Sequence, residues 1–147
     1  MKVKECMCNQ VACVKPQTTI KDVSKIMKDK HVGCIPVCDN NNQLVGLVTD
    51  RDLILRGIAV DKDINQTAIS EVMTTKVFNI SPEADVSEAS KLMCECQVRR
   101  LPVIENNAIV GIITLGDLAN KEEIETTQVG NTVENICNCS QNAKNNQ

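Results

Sequence analysis

The sequence predicts an α+β fold made of two tandem copies of one β-α-β-β-α subdomain, packed with pseudo-two-fold symmetry. Three observations predict it. First, Glu5 to Val37 matches Glu71 to Val103 at an offset of 66 residues, with Met7/Met73, Val11/Val77, Pro16/Pro82, Ser24/Ser90, Lys25/Lys91, Met27/Met93, Val32/Val98 and Pro36/Pro102 identical. Second, GLVTDRD (Gly46 to Asp52) returns as GIITLGD (Gly111 to Asp117), now at an offset of 65 because the intervening turn is one residue shorter. Third, the hydrophobic period switches in the same order in both copies. A repeat this long exceeds the usual solenoid period, so it implies two homologous subdomains and not an array. The expected boundaries are 1–60 for the first, 61–69 for a linker, 70–121 for the second and 122–147 for a polar tail.

The elements follow in turn. Val11 to Val14 and Val77 to Ile80 are short β-prone runs, each stopped by a proline two residues on, Pro16 or Pro82. A helix follows in each copy. Ile20, Val23, Ile26 and Met27, and then Val86, Ala89, Leu92 and Met93, recur at helical spacing behind Thr19-x-x-Asp22 and Asp85-x-x-Glu88, which read as capping boxes. CIPV with LVGLVT, and RLPV with IVGIIT, are strand pairs joined by an Asn-rich turn, and a closing helix starts at Asp50 or Leu115. A three-stranded sheet with both helices on one face leaves a face bare, which a second copy would cover.

Composition narrows the function. The chain has 147 residues, 42% hydrophobic and 24% charged, with one Phe and no Trp or Tyr. Its core is therefore aliphatic, and it offers no aromatic platform for splayed bases. A net charge of -3 argues against backbone binding to nucleic acid. No stretch approaches the ~20 apolar residues of a membrane span, and the first residues lack an apolar signal core. The expectation is a cytoplasmic protein that binds neither nucleic acid nor membrane, with most of its nine cysteines as thiols.

Over roughly residues 3 to 120, these motifs resemble the cystathionine-beta-synthase (CBS) domain pair, or Bateman module, of the stand-alone bacterial type. The IPV and LPV strands and the Gly-x-x-Thr-x-x-Asp corner, twice in register, carry the resemblance. It implies a non-catalytic regulatory module whose clefts bind adenosine-containing ligands (AMP, ADP, ATP, S-adenosylmethionine or cyclic dinucleotides), with the nucleotide a regulatory ligand and not a cofactor. It implies a homodimer acting on an unknown protein partner. By similarity, Asp52 with Thr49 and Asp117 with Thr114 would receive the ribose, a role that suits a carboxylate able to accept two hydroxyls. Val11, Val14, Ile35 and Val37, or Val77, Ile80, Leu101 and Val103, would flank the base. The positions three and two before the Pro, basic phosphate ligands in many members, are Arg99 and Arg100 in the second copy but Gly33 and Cys34 in the first. The second cleft is thus expected to prefer a phosphorylated ligand, with Arg51 reaching across, and the first to be empty or to take a less anionic adenosine compound.

Plainer readings stand beside these. Thr-x-x-Asp at a helix start is a capping box in its own right, and the two roles are compatible. Arg99 and Arg100 can be a solvated edge pair. His31, at the end of the first helix and matched by Gln97, carries no chemistry. The alternative function is a thiol-based metal-binding or redox-responsive protein. Cys6/Cys8, Cys94/Cys96 and Cys137/Cys139 form Cys-x-Cys pairs, but lack knuckle spacing, so no metal ligands are assigned. Cys13 and Cys38 fall on neighbouring strands, where spacing permits a disulfide and two buried thiols are the favoured reading. With one His and no serine motif, nothing assembles a nucleophile and base, so no enzyme is expected.

Overall fold

The computed structural model describes residues 1–120. In chain order the elements are α1 (Val3–Cys6), α2 (Ile20–Lys30), β1 (Cys34–Cys38), β2 (Leu44–Thr49), α3 (Asp50–Asp52), α4 (Val86–Cys96), β3 (Arg100–Glu105), β4 (Ala108–Thr114) and α5 (Leu115–Ala119). After α3 the chain continues through a π-helical turn, Leu53–Gly57, and a 3-10 turn, Ile58–Val60. By their contacts the residues form two units. Among the described residues, the first holds Val11–Val77 with Asn107–Ile109, and the second holds Met1–Gln10, Phe78–Asn106 and 110–120.

In the first unit, β1 and β2 form an antiparallel hairpin pairing Cys34 with Thr49, Ile35 with Val48, Pro36 with Leu47 and Val37 with Gly46, and a bulge precedes Cys38. The Asn-rich turn is closed by Asp39, whose side chain accepts from the amides of Asn41 and Gln43 at 2.9 Å each. In the second copy the loop is only Asn106 and Asn107, both at positive φ (51° and 64°), the backbone signature of a tight two-residue hairpin that Asn tolerates. The one-residue deletion thus exchanges one hairpin loop for another and leaves the strands intact.

The expected leading strands, Val11–Val14 and Val77–Ile80, each shrink to a single parallel bridge, Val14 with Val37 and Ile80 with Val103. The prolines explain this. Val14 donates to Pro36 O at 3.0 Å, and Cys38 donates to Val14 O at 2.9 Å. Extending the ladder backwards would need an N–H on Pro36, and extending it forwards would need one on Pro16, and proline has none. The second copy repeats the arrangement, with Ile80 donating to Pro102 O (3.0 Å) and Ile104 to Ile80 O (2.9 Å), fenced by Pro102 and Pro82. Each sheet therefore has two strands, with the leading segment held by one rung.

The opposite edge of each hairpin is met by a segment that precedes the other copy in sequence. Thr74 and Leu47 exchange hydrogen bonds of 2.9 and 2.8 Å in the first unit, and Cys8 and Ile112 exchange two of 2.9 Å in the second. The stretch 61–69, expected as linker, contributes Ile69 to the core of the first unit alongside Val72, both with no exposed surface. Ile69 also donates to Thr18 O at 2.7 Å and Ser70 to Pro16 O at 3.0 Å. In the second unit α1 is the counterpart. Val3 is fully buried, its amide donates to Ala84 O at 2.9 Å, and Lys4 pairs with Glu83 at 2.6 Å. The sequence copies are linear, but packing regroups their leading segments.

Both long helices form as predicted. The Thr19 hydroxyl accepts from Asp22 N at 3.2 Å, and Asp85 with Glu88 makes a reciprocal box. Ile20, Val23 and Met27, and Val86, Ala89 and Met93, are buried. At their C-termini His31 and Gln97 adopt the left-handed region (φ 54° and 58°), followed by Val32 N to Met27 O and Val98 N to Met93 O bonds of 3.1 Å, the Schellman pattern. The Gln97 side chain also donates to Cys94 O at 2.6 Å, so Gln97 has a compensation that His31 lacks. A non-glycine residue there costs about 1 kcal/mol. His31→Gly is therefore expected to stabilise the protein by about 0.5–1 kcal/mol in reversible thermal unfolding, and Gln97→Gly to gain less. A loss of stability in His31→Gly would contradict this account.

Candidate functional site

The repeated Gly-x-x-Thr-x-x-Asp corner is a strand end turned into a helix start, and its polar groups are nearly all used there. In the second unit Thr114 N donates to Asp117 Oδ2 at 2.8 Å, Asp117 N donates to Thr114 Oγ1 at 3.1 Å, and the Thr114 hydroxyl donates to the same Oδ2 at 2.8 Å. In the first unit Thr49 N donates to Asp52 Oδ2 at 3.0 Å and Asp52 N to Thr49 Oγ1 at 3.2 Å. The capping reading is correct for both corners. It occupies one carboxylate oxygen and leaves the other.

What that second oxygen meets differs between the copies. Asp52 Oδ1 stands 3.9 Å from Arg56 Nε, one helical turn on. Asp117 Oδ1 has no hydrogen-bond or ion-pair partner among the described residues. Arg56 was legible as an i, i+4 partner of Asp52 and was missed in the sequence reading.

The residue three before the Pro is tied to the same corner. Asp50 N donates to Gly33 O at 3.0 Å, and Leu115 N donates to Arg99 O at 2.9 Å. The backbone of Arg99 is thus hydrogen-bonded to the residue that follows Thr114, with Arg99 exposed and Arg100 half-buried. At the matching place in the first unit, a Cβ on Gly33 would lie 2.9 Å from Asp50 Oδ2. One corner is surrounded by Arg99, Arg100 and the apolar Leu115. The other has Gly33, buried Cys34 and the carboxylate of Asp50, with exposed Arg51 beside it.

The residues expected to flank a base divide by burial. In the first unit Val11 is partly buried, whereas Val14 and Ile35 belong to the core, at 6% and 1% exposure. In the second unit Ile80 is 8% exposed and Leu101 has no exposed surface. Val37 and Val103, also fully buried, are the bridge partners of Val14 and Ile80. Val77 is partly buried and ends the long segment of the first unit. A groove of about 470 Å³ in the second unit is lined by Asn79, Ile80, Ser81, Ala84, Glu88, Lys91, Leu92 and Glu95. It includes Ile80 but not the Thr114 corner.

The motif glycines have a packing role that the sequence did not reveal. A Cβ on Gly111 would lie 2.5 Å from Met7 Sδ and 2.9 Å from Cys8 O, and one on Gly46 would lie 2.5 Å from Met73 Sδ. The repeated Met7/Met73 thus lies across the repeated Gly111/Gly46.

The CBS domain profile matches residues 3–58 and 69–123. The chain belongs to the CBS domain family. The CBS domain-containing protein YhcV of Bacillus subtilis (strain 168) is 42% identical over 134 residues, covering 91% of this chain and 94% of YhcV. The crystal structure of Hypoxic Response Protein I with two coordinated zinc ions superposes with a TM-score of 0.75 at 31% identity, over 81% of this chain and 97% of that one. That of CBSX2 in complex with AMP gives 0.69 at 30% identity, over 79% and 91%. Among the described residues of this CBS pair, no three His, Cys, Asp or Glu side chains cluster as a metal site. Cys137 and Cys139 lie outside the described residues, as does the polar tail. No described helix is long and apolar enough to cross a membrane.

The Gly–Met contact gives a contrast to measure in this CBS pair. Gly111→Ala is expected to cost about 1–3 kcal/mol, since one obstacle is a backbone carbonyl. Gly116→Ala, whose Cβ would meet Thr114 Oγ1 at an ordinary 3.6 Å, is expected to stay within about 0.5 kcal/mol of the parent. Equal losses in thermal unfolding would contradict the contact account.

Proposed function

We propose that this CBS pair is a non-catalytic regulatory module that senses adenosine-containing ligands, and that its second-copy corner takes the phosphorylated one, such as AMP. The observation that carries the reading is the asymmetry of the two corners. Asp117 keeps a carboxylate oxygen free among the described residues for ribose hydroxyls, and the Arg99 backbone is hydrogen-bonded beside it. Arginine grips phosphate bidentately, and two such groups near one sugar-binding carboxylate suit a nucleoside monophosphate. Ile80 would offer apolar surface to the base, with Leu101 behind. The AMP complex of CBSX2, at 30% identity, supports the ligand class.

The first-copy corner favours a different ligand. Asp50 and Asp52 bring two carboxylates, Gly33 and Cys34 bring no cation, and Arg56 already faces Asp52. An uncharged or cationic adenosine compound such as S-adenosylmethionine suits this corner, with Val11 toward the base, Val14 and Ile35 beneath, and Arg51 at the rim. Occupancy would shift a conformational or oligomeric equilibrium and so bias a partner protein in the cytoplasm.

Calorimetric titration of AMP into the reduced full-length protein tests the main reading. Micromolar-range binding is expected, weakened tenfold or more in Asp117→Ala. Arg99→Ala/Arg100→Ala is expected to weaken AMP by about 10–100-fold while leaving adenosine nearly unchanged. Unchanged AMP affinity in that double variant would remove the phosphate assignment, and no heat from AMP, ATP or S-adenosylmethionine would leave the corner as a helix cap.

We also propose a homodimer. Ile54, Leu55, Ile58 and Val60, all about half exposed, follow α3 on the first unit, and so dense a run of bare aliphatics suits a second copy. Sedimentation should find a dimer that Ile54→Glu/Ile58→Glu converts to monomer. An unchanged mass in that variant would refute the surface.

A further inference from the structure

We propose that Cys13 and Cys38 form a reversible disulfide when the protein meets a peroxide, making the root of the first leading segment a redox-modification site. The two thiols are brought together by the Val14–Val37 rung, whose hydrogen bonds of 3.0 and 2.9 Å run from Val14 to Pro36 and from Cys38 to Val14. Cys13 precedes that rung on one segment and Cys38 follows it on β1, near enough for the Cys13 sulfur to act electrostatically on the Cys38 thiol. The expectation of two buried thiols holds for only one of them. Cys13 is exposed, whereas Cys38 is 1% exposed.

That difference assigns the chemistry. An exposed sulfur can meet the oxidant, and a buried neighbour can resolve the product without competing for it. The Cys13 thiolate attacks one peroxide oxygen. The S–O bond forms as the O–O bond breaks, giving a sulfenic acid and, with a proton, water. The Cys38 sulfur then attacks the Cys13 sulfur, the S–S bond forms, the S–O bond breaks and a second water leaves with the Cys38 proton. Two electrons pass from the sulfurs to the peroxide, and a dithiol reverses the bond by exchange.

The surroundings fit this sequence. Burial first, and then the neighbouring Cys13 sulfur, toward which the Cys38 S–H is directed, push the Cys38 thiol up to about 12, so it remains protonated while Cys13 reacts. Lys15 sits beside the pair and lowers the cost of charge on Cys38, and its ammonium is anchored on Asp39 O at 2.7 Å. Backbone freedom is available on one side. Among the described residues, 9–13 make no main-chain to main-chain hydrogen bond, so Cys13 can move to bridging geometry while β1 stays fixed. Cys94 and Cys96, two apart on α4, point to different sides of the helix. Cys6 is buried against Met1 Sδ at 2.9 Å.

The test uses the full chain, reduced, treated with chelator and exposed to about one equivalent of hydrogen peroxide, with iodoacetamide to cap remaining thiols. Tryptic peptides carry Cys6, Cys8 and Cys13 together and Cys34 and Cys38 together, so fragment ions must place the link. A Cys13–Cys38 link is expected, absent from Cys13→Ser and reversed by dithiothreitol. Cys38→Ser should instead leave a dimedone-reactive sulfenic acid at Cys13. The oxidised parent should melt about 5–10 °C higher than the reduced one. Cys13 recovered alkylated after peroxide, or linked to another cysteine, would overturn the proposal. Cys13→Ser changes an exposed position, so its fold is retained and its result is decisive even where Cys38→Ser unfolds.

Discussion

The hydrogen-bonded corner between a Gly-x-x-Thr strand and its helix is the constraint on which the rest of the structure depends. A helix start leaves its first amides without partners inside the helix. Here the Thr hydroxyl takes the amide of Asp52 or Asp117, and the carbonyl of Gly33 or Arg99 takes that of Asp50 or Leu115. The Asp carboxylate returns to the Thr amide. Three chain segments are locked by these bonds, namely the strand end, the helix start and the approach to the Pro-Val strand. Under the proposed function, the structural cap and the ligand site are the same object. The bonds that cap the helix also hold one carboxylate oxygen where a hydroxyl can reach it.

The corner requires a flat strand edge beside it, and the sequence supplies one through glycine. At Gly46 and Gly111 a methionine from a leading segment crosses where a side chain would stand, which lets Thr74 and Cys8 pair with Leu47 and Ile112. On the other edge, prolines limit the leading segment to one rung. A two-stranded hairpin, closed on both sides by single bridges, is the outcome. The single rung anchors the segment that carries Cys13 beside the end of β1 that carries Cys38.

Much of this was legible in the sequence. The helices Ile20–Lys30 and Val86–Cys96 announce themselves by period and capping box, the hairpins by alternating aliphatics around Asn turns, and the duplication by its register. The leading strands misled because β propensity speaks for Val11 to Val14, whereas the decisive factor is a missing N–H on Pro36, a residue in another strand. The destination of Met1–Gln10 and of Ile69–Met73 was hidden because a repeat fixes similarity, not which copy a segment packs on. Arg99 was found at the corner through the family pattern. The opposing Asp50 carboxylate went unnoticed because nothing in spacing alone places it against Gly33. Cys13 was misjudged as buried because a lone strand residue follows alternation only where the strand continues.

The central claim is that the Asp117 corner, and not the Asp52 corner, receives a phosphorylated nucleoside through its cap carboxylate. The most direct measurement is a crystal structure of the full chain grown with AMP. The account predicts the ribose hydroxyls within hydrogen-bonding distance, about 2.5–3.0 Å, of the Asp117 carboxylate and the phosphate on Arg99 or Arg100. AMP bound at Asp52 with the Asp117 corner empty, or held away from both corners, would contradict it.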